Sequence, residues 1–485
     1  MSAVNRWRAF ALLAVSFFMT IVDLTIVNVA LPTIGDKLHF SESNLQWVVT
    51  AYGITFGGFL LLGGRAADLL GRRRMLMIGL SIFTAASLAC ALATTDSFLI
   101  AMRGVQGLGA AIILPAALSI VMNMFEEGAE RNKALGLWGG IGASGATFGL
   151  IAGGVLTRYA GWDYIFYLNV PIGAAMLALA PRVVPESRLE TERRRYDPLG
   201  AGTATGGLLL LVYTISNAPQ VGWGSGRTVS LLAASAALLI AFLVIETRVS
   251  SPLMPLRIFG LKTLSGANAV SFLLGASFFA FIFIGTLYMQ QVLGYSALRT
   301  GVTWLTTSVT SVAFAGLSQL LVTRGSAKLV MAFGMTMIGG GILWTTRVPV
   351  QGHYWADLAG PFFITGIGTA FAFIPVSIAA LAGVGERDAG LASGLLNTSQ
   401  QLGGAIGVAV ASTIAASHTT SLLRGGHPAP AALTGGFQWA MLVCGLIGLL
   451  AVPVTFLLVR QGELAKAVAA TTARPRLDLA TEPVG

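Results

Sequence analysis

The constraint that narrows the fold most is a repeated pattern of apolar runs and short charged loops. From residue 9 onward, runs that carry almost no charge alternate with brief connections that carry nearly all of it. A run of about 18 or more apolar residues reads as a membrane-spanning helix. Fourteen such runs follow one another, at 9–32, 44–65, 75–95, 98–123, 134–157, 164–184, 198–217, 229–247, 264–290, 300–323, 327–346, 358–383, 391–416 and 435–459. Only 10% of the 485 residues are charged, against about 25% in a soluble domain. The 60 glycines suit helices that approach closely within lipid. The first run is too long for a signal-peptide core, and no small-residue cleavage site follows it, so it reads as a retained helix.

The loops give the orientation. Lys37, Arg158, Arg227, Arg299, Arg347 and Arg424 fall in loops on one side of the alternating spans. Arg103 lies within a span. The other basic residues, among them Arg72, Arg73, Arg74, Arg131, Lys133, Arg193, Arg194 and Arg195, fall on the opposite side. Basic loops stay cytoplasmic, and an even number of spans puts both termini there. An excess of arginine over lysine, with abundant alanine and glycine, points to a GC-rich bacterial genome and hence a bacterial plasma membrane. The net charge of +10 is accounted for by these loops, so no nucleic-acid partner is expected. Cys90 and Cys444 lie inside apolar runs and fit neither a disulfide framework nor a metal site. The four histidines fall in loops. No cofactor or metal is expected, and no glycine-rich loop ending in Lys-Ser/Thr is present for ATP-driven work. Nothing in the pattern calls for an enzyme.

The chain divides at its most charged loop, PESRLETERRRYDPLG at 185–199. Residues 1–184 are expected to form a six-helix bundle. Residues 185–262 are expected to be a linker carrying two additional spans, 263–460 a second six-helix bundle, and 461–485 a disordered cytoplasmic tail. GAERNKALG before span 5 has a faint echo in GERDAGLASG before span 13. Duplicated halves are common in transporters, with the substrate site at their interface.

Asp23 is the acid deepest within an apolar run, and Arg103 is the only basic residue deep inside one. A charge at the bilayer centre costs about 2.5–3.5 kcal/mol or more, so such residues usually face a cavity and serve a function. Counted from the same face of the membrane at ~1.5 Å per residue, their depths differ by ~5 Å, so they are able to pair. Thr20, Asp23 and Val27 share a face of span 1, and Arg103, Gln106 and Gly107 a face of span 4. Burial favours a neutral carboxyl and a nearby arginine favours an ionised one, so this group is suited to take up and release a proton. A fixed ion pair that only orients two helices is the alternative, although an apolar contact would do that at lower cost.

Three further sets stand out. GGRAADLLGRRRML after span 2 offers Gly64, Asp68, Gly71, Arg72 and Arg73 as a cytoplasmic gate; the plainer reading is a basic loop that fixes topology. Gly142, Gly145, Gly149, Gly153 and Gly154 recur at helical spacing along span 5 and form a close-packing seam. Asn28, Asn397 and Gln400 are candidates for a substrate cavity, with helix capping or helix contact an equal reading for the NTSQQ run at 397–401.

These segments resemble the major facilitator superfamily, and its fourteen-helix drug:proton antiporter branch in particular. GGRAADLLGRRR at 63–74 is similar to the superfamily's loop signature, with Ala66 where leucine is usual. LIAMRGVQGLGAA at 99–111 is similar to the helix-4 signature and VDLTIVNVALP at 22–32 to the branch's helix-1 signature. WDYIFYLNVPIG at 162–173, with Asp163 where arginine is usual, and AGLASGLLNTSQQLGGAIGVAV at 389–410 also resemble branch patterns. Leu150 follows Gly149 where the family commonly has proline, which removes an expected kink. The resemblance implies an all-α membrane protein with the major facilitator fold: two six-helix bundles plus two extra helices. It also implies proton-driven export of a hydrophobic or amphipathic drug or antibiotic, including self-resistance in a producer bacterium. The expected partners are that small molecule, protons and the lipid bilayer, with the chain acting as a monomer. An uncoupled facilitator or an importer of the same fold is the rival reading.

Overall fold

The computed structural model describes residues 3–125, 129–186, 197–249, 256–382, 384 and 389–464. Among these residues there is no β-strand. Fourteen helices of 15 residues or more fall one on each of the fourteen apolar runs. They are α1 (Ala3–Lys37), α2 (Trp47–Leu70), α3 (Arg72–Ala91), α4 (Asp96–Met124), α5 (Ala129–Tyr159), α6 (Asn169–Val183) and α7 (Pro198–Val221). The rest are α8 (Gly226–Arg248), α9 (Lys262–Leu287), α10 (Ala297–Arg324), α11 (Ala327–Trp344), α12 (Ala359–Leu381), α13 (Ala389–Arg424) and α14 (Ala429–Leu458). Eleven of the spans, all but α2, α5 and α7, are long and apolar enough to cross a membrane by length and composition. α1 and α13 overrun their apolar stretches, because a helix continues into the polar boundary wherever its backbone groups remain paired.

The helices follow their connections. α2 and α3 meet at a single residue, Gly71, whose φ of 105° is open to glycine and strained for other residues. Thr95 caps α4 by accepting from the backbone N–H of Phe98, and Asp197 caps α7 by accepting from that of Gly200. The two ends of the helix array are called here the Lys37 end and the Arg72 end.

α1 to α6 pack mainly on one another, as do α9 to α14. Between the two sets, α2 lies against α13 and α5 against α10, so the second helix of each set meets the fifth of the other. One apolar core runs unbroken from the Lys37 half of the first set, through Val27, Leu31 and Val48, into Phe281 and Ile284 of the second. Toward the Arg72 end the first set has its own separate core, around Leu76, Ile120, Phe125 and Val184. α7 and α8 pair with each other, and α7 also rests on α2 and α13. The Thr205 hydroxyl donates to Gly58 O at 3.0 Å and so ties α7 to α2.

The expected tail at 461–485 begins with order. Residues 461–464 form a helical turn with Leu464 buried, and the Thr263 hydroxyl at the start of α9 donates to Glu463. Residues 465–485 lie outside the described residues.

Candidate functional site

Helical spacing on α1 turns Thr20 and Asp23 toward α4 and α2. Asp23 and Arg103 are both fully buried, and Arg103 Nη1 lies 2.6 Å from Asp23 Oδ2. The other carboxylate oxygen, Oδ1, accepts from two amides: Gln106 Nε2 at 2.8 Å and Asn169 Nδ2 at 2.8 Å. Each amide also donates to Ser87 Oγ, at 2.7 Å from Gln106 and 2.9 Å from Asn169. A carboxylate only accepts hydrogen bonds, and here both of its oxygens face donors.

Arg103 is held from three sides. Its Nε donates to Val48 O at 2.9 Å and its Nη1 to Gln106 Oε1 at 2.6 Å. Its guanidinium carbon lies 4.4 Å from the Tyr52 ring centroid, a contact that stabilises a desolvated cation. Nη2 is buried and has no hydrogen-bond partner. Gly107 lets α4 approach, since a Cβ there would run into Tyr52 and Thr55 of α2. α1, α2, α3, α4 and α6 thus converge on one carboxylate.

Ser87, Asn169, Tyr52 and Val48 were not singled out in the sequence. Asn169 sits inside the quoted stretch WDYIFYLNVPIG, but serine and asparagine recur throughout the chain. Only the approach of α3 and α6 to α1 sets these two apart.

The gate candidates have mixed positions. Gly64 faces Pro115 of α4, Gly71 makes the α2–α3 turn, and Arg72 is buried. The side chain of Asp68 lies outside the described residues. Arg73 bonds within its own set of helices rather than across to the other. Its Nη1 donates to Val184 O at 3.2 Å and Pro181 O at 3.4 Å, at the far end of α6, and its backbone N–H donates to Glu186 at 3.1 Å.

The α5 glycines divide between two neighbours. Gly142, Gly145, Gly149 and Gly153 face Phe17, Phe18, Ile21, Val22, Thr25 and Ile26 of α1, so they form a seam inside the first set. Gly154 faces Ala297 and Leu298 of α10, across the boundary between the sets, where Gly301 of α10 also sits against Leu150 O.

Between the two sets lies a cavity of about 30 Å³ walled by α1, α2, α9 and α13. Its polar side chains are Thr25, Asn28 and Gln401, and no charged residue lines it. Asn28 is on this wall; Asn397 and Gln400 are not, because the neighbouring Gln401 takes the inward position on α13. Hydrogen bonds join the sets toward the Lys37 end. Gln290 Nε2 donates to Val29 O at 2.8 Å, and the Ser412 hydroxyl donates to Gln46 Oε1. Asp197 and Glu246 are also buried, at the Arg72 ends of α7 and α8, where the sequence showed only helix-end acids. No group of three or more His, Cys, Asp or Glu able to hold a metal occurs among the described residues.

Comparison with known proteins places this geometry in a family. The Major Facilitator Superfamily model matches residues 13–408. The chain is 38% identical over 416 residues to the cephamycin export protein CmcT of Amycolatopsis lactamdurans, covering 85% of each chain. It is 34% identical over 435 residues to the puromycin resistance protein pur8 of Streptomyces alboniger, covering 89% of this chain and 86% of that one. In fold it is similar to a bacterial homologue of the human lysosomal transporter Spinster, solved inward-facing and unoccupied. The TM-score is 0.66 at 14% identity, covering 96% of this chain and 99% of that one. With crossed α2–α13 and α5–α10 contacts, a buried Asp23–Arg103 pair and a family match over most of its length, the chain belongs to the major facilitator superfamily of membrane transporters.

Proposed function

We propose that the chain is a proton-coupled exporter of hydrophobic or amphipathic compounds, working by alternating access as a monomer in a bacterial plasma membrane. The single observation that carries this reading is the sealed ion pair. Asp23 is a fully buried acid whose two carboxylate oxygens accept from Arg103, Gln106 and Asn169. The names of its relatives, an antibiotic exporter and an antibiotic resistance protein, supply the substrate class. The Arg72 end is cytoplasmic, because the basic residues concentrate there. The first six helices, the α7–α8 linker and the last six helices act as the three working parts.

In the mechanism, a proton reaching Asp23 turns an acceptor into a donor that faces other donors. Arg103 loses its counter-ion, and its contacts with Val48 O and Tyr52 pass the change to α2. α2 carries the Gln46–Ser412 bond to the second half, so the proton site is mechanically joined to the closure at the Lys37 end. At that end the two halves share a continuous apolar core. The α5 seam lets that helix shift against α1. Each inward proton supplies about 2.3 kcal/mol per 100 mV of membrane potential, besides any pH gradient. The uncharged lining of the central cavity favours neutral, zwitterionic or weakly charged substrates.

The test is Asp23→Asn in inverted membrane vesicles. Insertion and fold should be retained while pH-driven export of an amphipathic dye is abolished. Coupled export by this variant would remove Asp23 from the role of proton carrier.

A further inference from the structure

We propose that Asn169 and Ser87 are positioning residues that pass the charge state of Asp23 to the α3–α6 pair, and through it to the cytoplasmic α2–α3 turn. The inference rests on the proton-carrier reading of Asp23. It adds a second output for the proton, separate from the Arg103–α2 path.

Three observations carry it. First, the donors are saturated. Asn169 Nδ2 has two hydrogens, and its two partners are Asp23 Oδ1 and Ser87 Oγ. Gln106 Nε2 has the same two partners. A proton on Oδ1 would turn that oxygen's O–H toward two N–H groups, and at least one amide must turn away. Asn169 is the first residue of α6, so its displacement is felt at the start of that helix.

Second, α3 and α6 are clamped at both ends. Ser87 and Asn169 join them near the Lys37 end. At the other end Arg73, the second residue of α3, holds the carbonyls of Pro181 and Val184 and the carboxylate of Glu186. The two clamps are separated by ~22 Å, at ~1.5 Å per helical residue. Between them Gly173 of α6 sits directly against Thr84 of α3. A pair bonded at both ends and close-packed one turn from the Ser87–Asn169 clamp shifts as one body.

Third, that body ends at a turn with no slack. Arg72 and Arg73 follow Gly71 directly, and Gly71 is the sole residue between α2 and α3. A shift of α3 along its axis must therefore displace the turn, which sits at the cytoplasmic boundary.

The experiment uses Arg74→Cys as a reporter. Arg74 is exposed beside the Arg73 clamp, and both native cysteines are buried. The rate of labelling by a membrane-impermeant maleimide is compared, at one pH, with and without Asp23→Asn as a mimic of the protonated acid. The substitution should change the rate by about fivefold or more, the lower end of ordinary coupling between sites. Adding Asn169→Leu, which removes the donor at similar volume, should abolish that difference. Ser87→Ala should do the same and serves if Asn169→Leu fails to insert. A labelling rate indifferent to Asp23→Asn would overturn the proposal, as would a difference that survives both second substitutions. Transport by Asp23→Asn alone is scored separately, so failure of the proton-carrier reading is told apart from failure of this one.

Discussion

At the scale of single residues, the energetics of Asp23 and Arg103 are set by what each would lose alone. A buried ion pair adds little net stability, but removing one partner leaves an uncompensated charge at a cost of about 3–5 kcal/mol. Arg103→Leu should therefore lower the detergent melting temperature sharply. Asp23→Asn combined with Arg103→Leu should recover much of that loss while export stays absent, and a thermal-shift double-mutant cycle measures both. If the double variant melts as low as Arg103→Leu, the stability loss belongs to the lost Val48 and Tyr52 contacts instead. The two charges stand out in the sequence because charge is rare in apolar runs. Their distance and partners do not, because they depend on how five helices converge. Asn169, Ser87 and Gln401 carry no such mark; a neutral polar residue costs less in a membrane helix and recurs too often for its position to be read.

At the scale of elements, helix existence was legible and helix neighbours were not. Each apolar run became one helix because spanning backbone in lipid has to satisfy its own hydrogen bonds. The α5 glycine stripe was equally visible, but not that four of its glycines face α1 while Gly154 faces α10. That division makes a prediction. Gly149→Ala drives a methyl group into the Val22 carbonyl and Thr25 of α1, where backbone blocks relief. Overpacking of this kind costs about 1–3 kcal/mol. Gly142→Ala meets only the edge of the Phe17 ring, at 3.2 Å, and a side chain is able to yield. Melting curves should rank Gly149→Ala well below Gly142→Ala, and equal losses would mean that the seam is uniformly soft.

At the scale of the whole molecule, closure at the Lys37 end depends on few polar bonds. Gln46→Ala together with Gln290→Ala removes two hydrogen bonds that join the halves at this end. The outward-open population should rise, read as faster labelling of an Asn28→Cys variant by an impermeant reagent added outside. Unchanged labelling would assign the closure to the shared apolar core. Two six-helix halves and an inserted pair were readable from the spacing of runs and charges. The attachment site of the inserted pair was not, since the α7 residues that meet α2, among them Thr205 bonded to Gly58 and Tyr213 against Trp47, carry no mark of that neighbour in the sequence. That attachment makes the boundary between the halves lopsided. α7 spans the α2–α13 contact like the binding of a book, while among the described residues the main contacts of α7 and α8 do not include α5 or α10. Turning between states then swings the halves about a stitched edge, and the pages part on the α5–α10 side. Spin labels paired across α5 and α10 should travel farther between the two states than labels paired across α2 and α13.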